Sequence, residues 1–227
     1  MNQSSGTERT LSEAIEERRA TPHFLPDPVP EADLKKILEA GLAAPSGYNL
    51  QPWRFVVVRD REQRQRLRQA AMGQPKVEEA PVVIVACGDA QAWRNGDLEE
   101  VLRLAQEHGY GGEKEHASVR KNVNHFLGST PGSNGGTAPD FAVWVNRQTM
   151  LAFTTMMWMA EVMGYDTAPM EGFYEDQVKA TLSIPDKVRV VALLAIGRRN
   201  GSDKPCGGRF PMPRTVFADT WGNGISL

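Results

Sequence analysis

The chain has 227 residues, 41% of them hydrophobic, and a formal net charge of −2. That length and apolar content suit one domain with a substantial core. The charge gives no support for nucleic acid as a partner, because there is no cationic excess to displace counterions. Only Cys87 and Cys206 are present, too few for a disulfide scaffold, which argues for a reducing compartment. The first nine residues lack the apolar core of a signal peptide, and the longest hydrophobic stretch, Met150 to Met163, is too short and too interrupted to span a bilayer. These features predict a soluble cytoplasmic protein.

In chain order, residues 1–9 read as a disordered N-terminus. Thr10 and Glu13 form a capping-box pattern for a short helix ending at Arg18-Arg19. An extended Pro-rich segment, Pro22 to Pro30, precedes a helix with Leu34, Ile37, Leu38 and Leu42 on one stripe. Then comes Ala44-Pro-Ser-Gly-Tyr-Asn-Leu-Gln-Pro-Trp53, where two prolines and a glycine stop regular structure and four polar side chains crowd a stiff loop. The loop suits holding a planar heteroaromatic ligand by its edge; an ordinary helix-to-strand connection fits equally well.

A strand follows at Phe55–Val58, then a helix capped by Asp60, whose arginine cluster (Arg59 to Arg68) reads as a solvated face. The apolar run Pro81–Cys87 predicts a strand covered on both sides, with Cys87 a buried thiol. Residues 88–138 are the least regular, with helical patterns near 97–107 and 116–126 and a mobile Gly-rich loop from Gly128 to Pro139. A long helix from about Pro139 to Met163 is apolar nearly all round, so it is buried centrally or in a subunit interface. A short helix near 174–182 and a buried strand, Val188–Ile196, complete the pattern: a mixed α+β domain.

The four histidines lack metal-ligand spacing, no Gly-x-Ser-x-Gly surrounds Ser46, and neither a Walker loop nor a Gly-x-Gly-x-x-Gly appears. What remains suits an anionic aromatic cofactor. Arg18-Arg19 can clamp a phosphate, although a solvated helix end explains them as well. Arg209 is a second phosphate candidate. Pro169-Met170-Glu171-Gly172 lets backbone approach a ligand, and Lys76 precedes the buried strand.

Together these pieces resemble the FMN-dependent nitroreductase family. Arg18-Arg19-Ala20 is similar to its Arg-[Arg/His]-Ser motif, Ala44 to Trp53 to its Ala-Pro-Ser-x-x-Asn-x-Gln-Pro-Trp motif, Pro169 to Phe173 to Pro-[Ile/Met]-Glu-Gly-[Phe/Tyr], and Gly197-Arg198 with Arg209 to its closing pattern. The resemblance implies a mixed sheet flanked by helices, and an intertwined homodimer with FMN in a cleft between subunits. It implies a single domain over 10–227, a variable substrate-pocket wall at 88–138, and an arm at 200–227 reaching the partner. The long helix would lie in the dimer interface.

Carried over by residue, Arg18, Arg19, Ala20 and Arg209 hold the FMN phosphate. Pro45, Ser46, Gly47 and Asn49 come from the other subunit, with Gln51 bracing their loop and Gln148 touching the interface side. Lys76 sits near N1/O2 of the flavin, Gln74 substitutes for an expected asparagine, and Pro169, Met170, Glu171 and Gly172 line the ring with a backbone N–H near N5. No side chain is a nucleophile: hydride passes from NAD(P)H through N5 to a nitroaromatic, quinone or activated alkene by a ping-pong scheme. Dehalogenation, flavin-consuming chemistry, a flavin sensor or carrier, and a cofactor-free interaction domain are the alternatives. Two departures stand out: Pro22 and Gly207 occupy positions where basic residues are expected, leaving Arg198, Arg199 or Lys204 to compensate.

Overall fold

The structure, a computed structural model, describes residues 8–128 and 141–225. Most of the proposed disordered N-terminus, nearly all of the Gly128–Pro139 loop, and the start of the long helix before residue 141 lie outside the described residues. Arg9, counted in the disordered segment, is tied down: its N–H donates to the Val162 carbonyl and its guanidinium to Glu161.

Four strands, β1 (Trp53–Val58), β2 (Val82–Asp89), β3 (Asp166–Met170) and β4 (Val188–Gly197), form one sheet in the order β1-β2-β4-β3. A mixed sheet was the expectation, but all three pairings within the chain are antiparallel. β2 and β4 are central and apolar on both faces. Val83, Val85 and Cys87 join a core with residues of α3 (Arg61–Ala70), α4 (Pro75–Glu79) and α8 (Glu175–Leu182). The alternate residues Val82, Ile84 and Ala86 join a second core with α2 (Glu31–Leu42) and α7 (Phe141–Val162). The two-residue period of a strand thus feeds two hydrophobic layers at once. β3 lies at the sheet edge, where Pro169 costs no ladder hydrogen bond inside the sheet.

The helix starts follow from local chemistry. In α1 (Leu11–Glu17), Thr10 and Glu13 satisfy each other's backbone as a capping box, and Asp60 accepts from the Gln63 N–H at 2.8 Å to start α3. α7 ends where Gly164 takes φ +81°. Its nearly all-round apolarity is accounted for largely within one chain, because it packs against α1, α2 and every strand. Val143 and Leu151 stay exposed on its outer side. α5 (Leu98–Glu107) and α6 (Glu113–Gly128) build a smaller core on Leu50, Trp93, Trp144 and Val145.

Some expectations need amending. Leu42, placed on the apolar stripe of α2, is 52% exposed. The arginine cluster of α3 is not simply a wet face: Arg64 donates to the carbonyls of Glu78 and Ala80, and Arg68 pairs with Glu78. The tail forms only the short α9 (Met212–Thr215). Among the described residues no helix is long and apolar enough to cross a membrane.

Candidate functional site

The segment Ala44–Trp53 is braced from inside. Ser46 Oγ accepts from the Gln51 N–H at 3.0 Å, and the Gln51 amide donates to the Asn49 carbonyl and side-chain oxygen. Gln148, on α7, accepts from the Gly47 N–H at 2.7 Å. Gln51 therefore braces the loop as expected, and Gln148 acts first as an anchor for it. Tyr48, Asn49 and Gln51 all have positive φ (54°, 55° and 44°), although none is glycine. Such a run costs on the order of 1–3 kcal/mol per residue and persists only where surroundings over-determine it, which is typical of ligand clamps. Pro45 and Asn49 face solvent.

A second group gathers at the other end of α7. Arg18 closes α1, and its guanidinium lies 5.8 Å from the Trp158 ring centroid. Its Nε and Nη1 are buried and make no hydrogen bond among the described residues. A buried guanidinium with two idle donors carries a desolvation cost that an anion would repay. Arg19 folds back onto the carbonyls of Glu16 and Arg18. Ala20 is exposed, and the chain then runs beside the sheet, with the Thr21 N–H donating to the Thr167 carbonyl and the Leu25 N–H to the Arg198 carbonyl. That pairing carries the arginine motif past the start of the tail.

The tail comes close in return. The Cys206 thiol is held below its ordinary range by the Gly208 N–H and by the nearby Arg19 and Arg209 guanidinium groups. The Lys76 ammonium is pulled down by burial and then by the positive charge of Lys204. Arg19, Arg209, Lys76 and Lys204 thus share one electropositive region. Gln74 donates to the Gly172 carbonyl at 2.8 Å and ties the start of α4 to the turn after β3. Met170 is buried, and Glu171 and Gly172 are exposed beside it. A Cβ at Gly172 would come no closer than 3.6 Å to the rest of the chain, and its φ is not positive. Nothing within the chain demands a glycine there, so the demand fits a ligand lying close.

Beneath this region lies a buried acid that the sequence reading missed. Glu161, 1% exposed, accepts from Thr167 Oγ1 at 2.6 Å and from Arg9 at 3.0 Å. Burial pushes its carboxyl up to about 7, against the pull of Thr167, Arg9 and Arg18. A lone glutamate in an apolar helix pattern was the available signal.

The loop group and the arginine group share no hydrogen bond or ion pair. Gln148 and Trp158 sit on one helix ten residues apart, which is about 15 Å along its axis. One chain therefore assembles the Arg18–Arg19, Gln74–Lys76, Glu171–Gly172 and Lys204–Arg209 pieces, and leaves the Pro45–Asn49 pieces elsewhere.

Relatives agree with the layout. A family model described as the nitroreductase family matches residues 15–198. The chain belongs to the nitroreductase family. It is 36% identical over 200 residues to a protein of Thermus thermophilus named NADH dehydrogenase, covering 88% of this chain and 91% of that one. It is 32% identical over 207 residues to MhqN of Bacillus subtilis, assigned as an NAD(P)H nitroreductase, covering 89% and 95%. Among solved structures, one from Exiguobacterium sibiricum assigned as a nitroreductase, in complex with FMN, superposes with a TM-score of 0.84 at 25% identity, covering 95% of this chain and all of the other. The motifs at Arg18, at Gly47 and at Pro169 fall inside the segment that matches the family.

Proposed function

We propose that this nitroreductase-family protein is an FMN-dependent oxidoreductase, passing reducing equivalents from NAD(P)H to a small oxidised acceptor in a site shared by two copies of the chain. The observation that carries this reading is the buried Arg18 guanidinium with idle Nε and Nη1 donors, in a region that also holds Arg19, Arg209, Lys76 and Lys204. Its chemistry fits a phosphate monoester, since guanidinium forks match phosphate oxygens. When bound, FMN supplies a two-electron carrier whose N5 takes hydride from the nicotinamide and yields it to the acceptor, so that both substrates use one site in turn.

The chain's own work is binding, orientation and electrostatics. Arg18, Arg19 and Arg209 hold the phosphate, with Ala20 contributing backbone. Lys76 keeps a partly desolvated cation where negative charge grows on reduction, and such a fixed charge costs no reorganisation during the reaction. Pro169, Met170, Glu171 and Gly172 line the ring, with Gln74 holding their turn. Pro45, Ser46, Gly47 and Asn49 serve the site of the opposite copy, on a loop stiffened by Gln51 and Gln148.

The two-chain form is supported by surfaces as well as by the split site. A groove of about 530 Å³ between α2, the free edge of β1 and α5 is lined by Leu38, Leu42, Leu50, Phe55, Val101 and Leu104. The tail carries Phe210, Met212, Val216 and Trp221 in the open, the last 92% exposed. An apolar groove at a sheet edge and an apolar tail suit one another across a two-fold axis. The acceptor class we assign is a nitroaromatic, quinone or activated alkene. Anaerobic mixing of the yellow protein with NADH and with NADPH tests the activity. Rapid bleaching followed by recovery on adding the acceptor supports it; persistent colour with both nucleotides assigns the protein to flavin binding without turnover.

A further inference from the structure

The expected basic residues at positions 22 and 207 are Pro22 and Gly207, and three cations stand near enough in sequence to replace them. Geometry separates the three. Arg198 lies over the Tyr165 ring, 5.6 Å from its centroid. Arg199 is engaged by two carboxylates: its backbone N–H donates to Asp166 at 2.9 Å, its Nη1 donates to Asp203 at 2.5 Å, and its Nε stands 3.7 Å from Asp166. Lys204 is exposed and has no ion pair among the described residues.

Asp203 joins two parts of the molecule. One oxygen accepts from Arg199, at the end of β4, and the other accepts from Thr21 Oγ1 at 3.2 Å. Thr21 is 1% exposed and its N–H is fixed to the Thr167 carbonyl. The start of the tail is therefore pinned to the residue that follows Arg18-Arg19-Ala20, and the next residue is Lys204. The tail from Lys204 to Cys206 then passes from the field of Lys76 into that of Arg19 and Arg209. Lys76 and Lys204 repel one another, and no carboxylate offsets the Lys76 charge. Cations held together in this way favour an anion between them.

We propose that Asp203 is a positioning residue that sets Lys204 as the cation for the cofactor phosphate, replacing the basic side chains missing at 22 and 207. The inference rests on the FMN reading above and names a residue for the phosphate of that site. Asp203 does not touch the cofactor. It fixes where the tail begins, through Thr21 and Arg199, so that less order has to be acquired when the phosphate binds.

The test titrates cofactor-stripped protein with FMN and, separately, with riboflavin, which lacks the phosphate, following flavin fluorescence. Lys204→Gln should weaken FMN about ten-fold and leave riboflavin unchanged, and Lys204→Arg should retain FMN affinity. Asp203→Asn should produce the same FMN-selective loss with Lys204 still present. The double variant should lose no more than either single one, because the two act as a unit. Equal losses for FMN and riboflavin, or no loss in Lys204→Gln, overturn the proposal. Wild-type protein that binds neither flavin overturns the FMN reading itself, whereas wild-type binding of FMN with an unaffected Lys204→Gln overturns only this inference. Far-ultraviolet circular dichroism of Asp203→Asn checks the fold, and a variant that unfolds leaves the exposed Lys204 pair of variants to decide.

Discussion

Glu161 gives a sharp test of the buried polar layer under the cofactor region. Its carboxyl is 1% exposed and is pushed from an ordinary 4.5 up to about 7. The groups facing it are Arg9 from the N-terminal segment, Arg18 from the end of α1, Asp166 and Thr167 from β3; burial outweighs them. Because its folded value is raised, the native state keeps a proton that the unfolded chain has released between about pH 4.5 and 7. Stability therefore falls as pH rises through that window, and the full cost is present above it. A shift of this size corresponds to about 3 kcal/mol. Glu161→Gln removes the titration whatever its absolute stability, since glutamine is neutral throughout. Urea unfolding of both proteins at pH 5 and pH 8 should show wild type losing up to about 3 kcal/mol more than the variant between the two pH values. Parallel losses would refute the assignment of a raised, buried carboxyl.

Three other outcomes follow from the same structure. Gly88→Ala would place a Cβ 2.1 Å from Val145 Cγ1 and 3.0 Å from Thr149 Oγ1, forcing β2 and α7 apart; it should cost about 1–3 kcal/mol, and a melting midpoint within a degree of wild type would contradict the packing described. Arg18→Gln should weaken FMN by about 10- to 100-fold, read by fluorescence titration, since it removes charge-assisted bonds to the phosphate; full retention would remove Arg18 from the phosphate site. Lys76→Ala should lower the midpoint potential of bound flavin, and an unchanged potential would dismiss the proposed role of that cation.

Much of the fold was written in local patterns. The Thr10–Glu13 box, the Asp60 cap, the Gly164 stop, the buried runs of β2 and β4 and the long apolar helix each follow from propensity and periodicity that the tertiary structure leaves intact. What was illegible depends on partners far away in sequence. Arg9 looked like part of a loose end, yet its anchor is Glu161, 152 positions on. The α3 arginines looked solvated because Glu78 and the carbonyls of Glu78 and Ala80 are contributed by another segment. α4 escaped notice because five residues with one buried side chain, Val77, carry too little periodicity.

The site was legible as chemistry and much less so as geometry. The loop from Ala44 to Trp53 announced itself by prolines and amides, but positive φ at Tyr48, Asn49 and Gln51 leaves no mark in residues that normally avoid it. Lys204 could not be told from Arg198 or Arg199 until the hydrogen bonds of Asp203 and Asp166 were seen. The antiparallel pairing of all four strands also lay beyond local patterns, because register and neighbour order are set by the packing of whole layers.

The flavin content of the purified protein tests the central claim most directly. Absorbance of the released cofactor, set against protein concentration and the mass in solution, should give one FMN per chain in a dimer. Colourless protein that stays colourless after incubation with excess FMN would contradict the account.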